Sequence, residues 1–520
     1  MKALLVTGLL AEDTVKQYAR QSSVETEVLA LPIQVAALLK LPNISKELQK
    51  RCVNGFDAIL VPGLIRGDTS VIADITGIPS FKGPRYAADL PTVLDSLDKI
   101  ELSTVTPACD LLREELQRKA LHELERVEQN REILLQNPGN MTIKQLALGK
   151  DFPMRVMAEI VDAPMMASDE IQRLAKRYVE MGASVIDVGM IAGEPRLSDA
   201  RRAVEAIKAV VDVPVSIDTL DPAEAREAVS AGADLILSVD AGNVEEMASF
   251  ASDVAVVAIP TNQREGYFPK EVNERVRFME EIVGRARELG ITNILADMIV
   301  EPANVLRSFV AFRAFAERNP DVPMFLGASN FTELIDADSV GVNALLARLS
   351  SEVGASMVLA TEKSQKAKGS VRELVTASKM MFLAKKRDSV PKDLGLDLLV
   401  LKDKRLREEP YNSEIEAEAP VILAAESIES EVMDEKGLFK IAVDHNSGVI
   451  VAVHILCSQQ DKPNVIIKGK TAENIFSKIK EMNLLTRLDH AAYLGRELAK
   501  AEIALVTGKE YIQDSRLFKG

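Results

Sequence analysis

RVMAEIV (155–161), SVIDVG (184–189), VPVSID (213–218), DLILSVD (234–240), VAVVAIP (254–260), NILADM (293–298), VPMFLGASN (322–330) and SMVLAT (356–361) are eight short apolar runs that decide the fold. They end in acidic or small polar residues, and segments of helical period separate them. Parallel strands need a crossover, so strictly alternating strand and helix predicts a parallel sheet. Eight such units between Arg155 and Met381 predict a closed (β/α)8 TIM barrel in the α/β class. Chemistry in that fold sits at the C-terminal strand ends. This chain places Glu159, Asp187, Asp218, Asp240, Asp297 and Asn330 there.

The barrel is expected over 150–388, and the rest of the 520 residues must form other domains. Residues 1–105 read as an N-terminal α/β, Rossmann-like domain, with strands KALLVTG (2–8), TEVLALP (26–32), DAILVPG (57–63) and IPSFKGP (78–84). A Gly-x-Gly-x-x-Gly fingerprint is absent, so dinucleotide binding has no support. Residues 106–149 read as a helical linker. Its charged stretch 107–136 has a leucine spacing suited to docking on a neighbour, and NPGN (137–140) breaks it. SVPKDLG (389–395) reads as a linker. Residues 396–520 read as a C-terminal α+β domain, with a hairpin turning at Asn446-Ser447-Gly448, a strand-turn-helix, and a long amphipathic helix.

A hydrophobic content of 47% supports sizeable cores, and a formal net charge of −15 argues against nucleic acid or a membrane surface as partner. No run is long and apolar enough to span a bilayer. MKALLVTGLL at the start lacks a cleavage-like site and reads as a first core strand. Three dispersed cysteines, Cys52, Cys109 and Cys457, suggest neither a disulfide framework nor a thiolate metal site. A cytoplasmic protein is the expectation, with a homodimer allowed for.

Asp218 closes the third strand and Asp297 the sixth. A carboxylate at a barrel mouth can accept paired hydrogen bonds from an amidine-like edge, such as the N–C–N edge of a pterin. The plainer reading of Asp218 is an N-cap of the next helix, and for that residue alone the two weigh equally. Two acids on facing strands favour a ligand. After the eighth strand come Lys363, Lys366, Lys368 and Arg372, a basic loop running into a helix start, which is a common barrel phosphate site. The competing reading is a solvated loop. Thr261-Asn262-Gln263 is expected to line the pocket, with Asn262 facing it and 266–275 as a movable cover. Gly469-Lys470-Thr471 lacks the first glycine of a P-loop and reads as a helix start capped by Thr471. His445, His454 and His490 read as structural.

The run from Met154 to Lys386 resembles the pterin-binding barrel of dihydropteroate synthases and of corrinoid-linked methyltetrahydrofolate methyltransferases. GASVIDVG (182–189), VPVSIDT (213–219) and AREAVSAGADLI (225–236) carry the likeness, in family order and spacing. The three-part chain is similar to the archaeal dihydropteroate synthase-like proteins. The resemblance implies that Asp218, in Ser-Ile-Asp-Thr, and Asp297 hold the pterin, with Asp187 as the family's second-strand acid. It also marks departures. Leu237 stands where the family has a pterin-facing Asn, followed by Ser238, and Asp240 is the candidate replacement. The synthases' first-strand loop is missing, and Glu159 lies near the place of a methyltransferase glutamate. Gly327-Ala328-Ser329-Asn330 replaces the synthases' Ser-Arg-Lys-Ser and matches the methyltransferases' Gly-x-Ser-Asn.

The resemblance implies a transferase of tetrahydromethanopterin or folate-type cofactor synthesis, condensing a dihydropterin diphosphate with an arylamine. Asp218 and Asp297 would hold the reduced pterin, Asn330 would flank the reacting side, and the eighth-strand lysines and Arg372 would take the diphosphate. Magnesium would bridge that group, with no ligand set legible. Two alternatives stand beside it. One is methyl transfer from a methyl-tetrahydropterin to a corrinoid or thiol, favoured by Asn330 and Glu159. The other is a pterin-binding protein without catalysis.

Overall fold

The structure, a computed structural model, describes residues 2–51, 53–97, 100–402, 420–422, 433–458 and 462–518. Cys52 lies outside the described residues. The described residues divide into two compact units, one up to residue 398 and the other from residue 399 onward.

In the first unit β1 (Lys2–Gly8), β2 (Glu25–Leu31), β3 (Ala58–Val61) and β4 (Ser80–Lys82) form a parallel sheet in the order β2-β1-β3-β4. Alternation along β1 and β3 splits their side chains between two apolar clusters. Leu4, Val6, Ile59 and Val61 pack against Ile44, Leu48 and Ile72, while Leu5 and Leu60 pack against Val15, Ala19 and Leu94. Both faces are covered, as a parallel sheet requires.

The barrel strands are β7 (Arg155–Ile160), β8 (Val185–Gly189), β9 (Val215–Asp218), β10 (Leu235–Val239), β11 (Ala255–Ala258), β12 (Ile294–Ala296), β13 (Met324–Gly327) and β14 (Ala355–Thr361). They close in sequence order, and β14 pairs with β7. A helix follows each strand, from Ser168–Glu180 to Ser370–Lys386. The (β/α)8 expectation therefore holds. Period 2 sorts the residues of each strand. Val156, Ala158, Ile186, Val188, Ile217, Ile236 and Val256 belong to the cluster shared with the helices. Met157, Val185, Leu235, Leu237, Val257, Leu295, Phe325, Met357 and Leu359 fill the interior. An interior packed with large side chains is a core rather than a channel.

The bottom of that interior has an element the sequence reading missed. Within the expected helical linker, β5 (Asn140–Ile143) and β6 (Leu146–Gly149) form an antiparallel hairpin. Its Ile143 and Leu148 join the interior cluster, and Leu148 is 0% exposed. The apolar alternation Met141, Ile143, Leu146, Leu148 was visible. The turn was not, because Lys144 takes φ +53 where a glycine or asparagine would have signalled it.

The charged stretch does form a helix, Ala108–Gln129. Its Ala120 and Leu124 pack with Met380, Leu383 and Ala384 of the last barrel helix. Leu394, in the segment read as a linker, is buried in the same cluster, and Arg387 pairs with Glu123 at 2.7 Å.

The second unit has β15 (Leu438–Asp444), β16 (Val449–Ile455) and β17 (Pro463–Gly469) in one antiparallel sheet. Helices Ala472–Glu481 and Leu488–Thr507 cover one face with Ile475, Ile479, Leu494 and Leu498. Thr471 caps the first of them, accepting the Asn474 N–H at 3.2 Å, which settles the Gly-Lys-Thr motif as a helix start. No helix among the described residues is long and apolar enough to cross a membrane.

Leu148→Ala removes a side chain wedged under the barrel interior, where the surrounding strands cannot collapse. It should cost about 2–5 kcal/mol in urea unfolding. A loss below about 1 kcal/mol would show that the hairpin is not part of the barrel core.

Candidate functional site

Strand register brings the acids together. Glu159 on β7 pairs with Asp187 on β8, Asp187 pairs with Ser216 on β9, and Gly189 pairs with Asp218. Residues two apart on a strand share a face. Asp187 therefore follows inward Val185, Glu159 follows inward Met157, and Asp218 shares its face with Ser216. Across the barrel, Asp297 directly follows β12 and continues the face of Leu295. Glu159, Asp187 and Asp218 each offer a carboxylate oxygen, and these lie within 4.8 Å of one another. The Glu159 carboxylate lies against Gly189, so a side chain there would push it aside.

The capping alternative for Asp218 fails. Helix Pro222–Ser230 is capped by Asp221, whose side chain accepts the N–H groups of Ala223 at 2.9 Å and Glu224 at 3.0 Å. Asp187 is 0% exposed. Ser216 Oγ donates to its Oδ1, while its Oδ2 is buried without a hydrogen-bond partner. Asp297 Oδ1 accepts the Ile299 N–H at 2.8 Å, and its backbone N–H is held by the Ala258 carbonyl at 2.9 Å.

Two unit charges about 4.8 Å apart repel by roughly 3–4 kcal/mol at an effective dielectric near 20, so these carboxylates resist joint ionisation. Burial pushes Asp218 up to about 7. Burial, then the charges of Asp218 and Asp162, takes Glu159 to about 7. Burial takes Asp297 to about 7, with a smaller push from Asp218 and a backbone hydrogen bond pulling the other way. Asp187 is driven well above the ordinary range by burial and by its two acidic neighbours. Carboxyl groups held near neutrality in a concave mouth are candidates for proton-sharing ligand contacts.

The other expected site residues divide. Asn330 sits on the rim with its amide over Gly327, where an added Cβ would lie 3.1 Å from its nitrogen. Its neighbour Ser329 accepts the Thr361 N–H at 2.6 Å, tying β13's end to β14. Leu237, in the place of the family's asparagine, is an interior core residue. Ser238 is buried at the end of β10, and its carbonyl accepts from the Asn243 side chain. Asp240 is spent on loop structure, because its oxygens accept from Gly242, Thr261 and Gln263 at 2.7–2.9 Å. Asn262 closes a tight turn by paired backbone bonds with Tyr267.

The movable cover expected over 266–275 ends earlier. Helix Val272–Glu288 begins inside it, and buried Arg275 donates to the Pro269 carbonyl at 3.0 Å, pairs with Glu301 and stacks on Phe268. A guanidinium so held anchors the segment's far end.

The basic loop does not converge. Lys363 bridges to Asp162 at 2.8 Å, Lys366 reaches the Ile335 carbonyl and Asp336, and Lys368 donates to the Glu362 carbonyl at 2.6 Å. Arg372 is exposed on the first turn of the helix. At that helix start the chain's own buried Glu362 accepts the Val371 N–H at 3.3 Å. An internal carboxylate thus stands where an external anion would bind.

Sequence reasoning missed Ser216, Glu333 and Glu362. Ser216 was legible, since it lies two residues before Asp218 on the same face. Glu333, which accepts from Thr361 Oγ1 at 3.1 Å and the Ser364 N–H at 3.2 Å, comes from a segment without strand or motif signal.

Residues 161–365 match the family described as pterin binding enzyme, residues 1–85 a family of unknown function (DUF6513), and residues 433–514 the family PterinBD-DUF4346. Among solved structures, the dihydropteroate synthase of Yersinia pestis is 20% identical with a TM-score of 0.39, covering 48% of this chain and 100% of that one. The synthase of Xanthomonas albilineans with 7,8-dihydropteroate is 20% identical with a TM-score of 0.38, covering 48% of this chain and 99% of that one. A Ycf91-like protein of Nostoc is 41% identical over 86 residues, 16% of this chain and 64% of that protein. An uncharacterized protein of Methanocaldococcus jannaschii is 41% identical over 533 residues, spanning 100% of this chain and 99% of the relative. The chain belongs to the family of that Methanocaldococcus jannaschii protein, within the pterin-binding barrel superfamily.

Proposed function

We propose that the barrel mouth binds a reduced pterin and that the protein is a transferase acting on it, condensing a dihydropterin diphosphate with an arylamine. The observation that carries the pterin assignment is the buried Asp297 carboxylate at the end of β12, facing the Asp218 side of the barrel. Its free acceptor capacity suits the adjacent ring N–H and amino group of a pterin, two donors side by side. On this reading Asp218 takes a further polar edge of the ring, and interior Leu237 gives an apolar floor. Lys363 is the cation a departing diphosphate would draw away from Asp162. The scattered lysines and the internal Glu362 weigh against a preformed phosphate cradle, so diphosphate contacts would need rearrangement of this loop.

A second reading has its own support. Asn330 at the rim and half-buried Glu159 beside Asp218 suit methyl transfer from a methyl-tetrahydropterin, with the amide bonding the reacting nitrogen and a carboxylic acid near neutrality supplying its proton. The two are separated by turnover assays, one with dihydropterin diphosphate and arylamine, the other with methyl-tetrahydropterin and a corrinoid or thiol. Product from the first pair alone supports the synthase, product from the second alone supports methyl transfer, and product from neither rejects both.

Replacing Asp297 with Asn leaves shape intact but removes the charged acceptor. Hydrogen bonds to a charged group contribute about 1.5–3 kcal/mol, so pterin affinity should fall roughly 10–100-fold in calorimetry. Unchanged affinity would remove the pterin assignment.

The pH dependence has a definite sign. A carboxyl shifted to about 7 is mostly neutral at pH 6 and mostly ionised at pH 8. Ring N–H donors favour the ionised form. Affinity for a pterin that does not itself titrate there should therefore rise between pH 6 and pH 8, and Asp297→Asn should flatten that rise. A fall over this window in the wild type contradicts the assignment.

Asn330→Ala should leave pterin affinity within about threefold while lowering turnover at least tenfold if the amide acts on the reacting nitrogen. An equal loss in affinity and in turnover would assign it to ring positioning.

A further inference from the structure

Beyond Asp297 the barrel mouth holds three further acids, of which Asp187 is buried and Glu159 and Asp218 are half-buried. Glu159, Asp187 and Asp218 stand on the adjacent strands β7, β8 and β9, with one oxygen from each within 4.8 Å of the others. The grouping alone would mean little, but Asp187 adds a separate observation. It is fully buried, one oxygen is satisfied by Ser216, and the other, Oδ2, faces no hydrogen-bond partner. A buried carboxylate oxygen without a donor is uncommon in folded proteins, and a bound ion beside it would satisfy it. Lys363, the lysine whose charge reaches Glu159, is exposed and bridged to Asp162 instead. The glycine at 189 keeps open the space that the Glu159 carboxylate occupies.

We infer that Glu159, Asp187 and Asp218 together hold one hard divalent cation, of the Mg2+ or Mn2+ class, at the base of the barrel mouth. The donor set decides the class. All three ligands are carboxylate oxygens, with neither imidazole nor thiolate, and oxygen-only sets suit Mg2+, Mn2+ and Ca2+ over zinc or copper. Three carboxylates are also an electrostatic match for a dication, which replaces the protons they otherwise share. Ser216 holds the Asp187 carboxylate by its second oxygen, as supporting residues hold a metal ligand. Asp218 can give one oxygen to the ion and the other to a bound ring, so the ion and the pterin are not exclusive. The site goes beyond the pterin reading and does not depend on it.

The test is titration of the full-length, chelator-treated protein with MnCl2, with free Mn2+ read by electron paramagnetic resonance and no pterin present. One saturable Mn2+ per chain is expected. Asp187→Asn and Glu159→Gln should each weaken it by about tenfold or more, whereas Asp297→Asn should keep it while losing pterin. Melting temperature serves as a second readout, because a bound ion raises it in the wild type and not in Asp187→Asn. Absence of saturable Mn2+ binding by the wild type, or binding unchanged in both Glu159→Gln and Asp187→Asn, overturns the inference. Loss of pterin binding by the wild type with Mn2+ binding intact would reject the pterin reading and leave the ion site standing.

Discussion

Closure of the parallel barrel is the constraint on which the site depends. Once β14 pairs with β7, the register of every strand is fixed, and period 2 decides which side chains face inward. A one-residue slip of β8 would turn Asp187 towards the helices and Ile186 into the mouth. The apolar layers beneath, Met157, Val185, Leu235, Leu295, Phe325 and Met357, make such a slip costly, because it would bury acids among helices and expose core residues. The hairpin side chains Ile143 and Leu148 join those layers from below. The fold therefore supplies the energy that keeps mutually repelling carboxyl groups together; burial is the first cause of their raised proton affinities, and for Glu159 and Asp187 the neighbouring acids add to it.

Much of this was legible in the residues, and the reasons differ by element. The eight strands read correctly because buried parallel strands are short, continuous apolar runs bounded by turns. Asp187, Asp218 and Asp297 were legible as strand-end acids, but their mutual spacing was not, since it depends on the pairing of β7, β8 and β9. The hairpin at 140–149 was overlooked because its turn uses Lys144 rather than glycine. The basic run after β14 suggested convergence, whereas its lysines point to three different loops, and side-chain direction in an irregular segment has no period to betray it. Asp240 looked like a ligand contact and proved to be a loop clamp, a role that needs the partners Thr261 and Gln263 to be seen.

The parts outside the barrel differ in what they suggest. The parallel sheet at the N-terminus packs on both faces, with no glycine-rich phosphate loop, which leaves it without a sequence signature for a nucleotide. The second unit, with a core of its own, matches a family separate from that of the barrel. Buried charge, an apolar floor and a rim amide occur together at the barrel mouth.

The most direct measurement is a crystal structure of the protein with a bound reduced pterin. The ring should lie in the barrel mouth with its N–H and amino edge on the Asp297 carboxylate, at hydrogen-bond distances of about 2.7–3.0 Å. A pterin found elsewhere in the molecule, or in the mouth with that edge turned away from Asp297, would contradict the assignment.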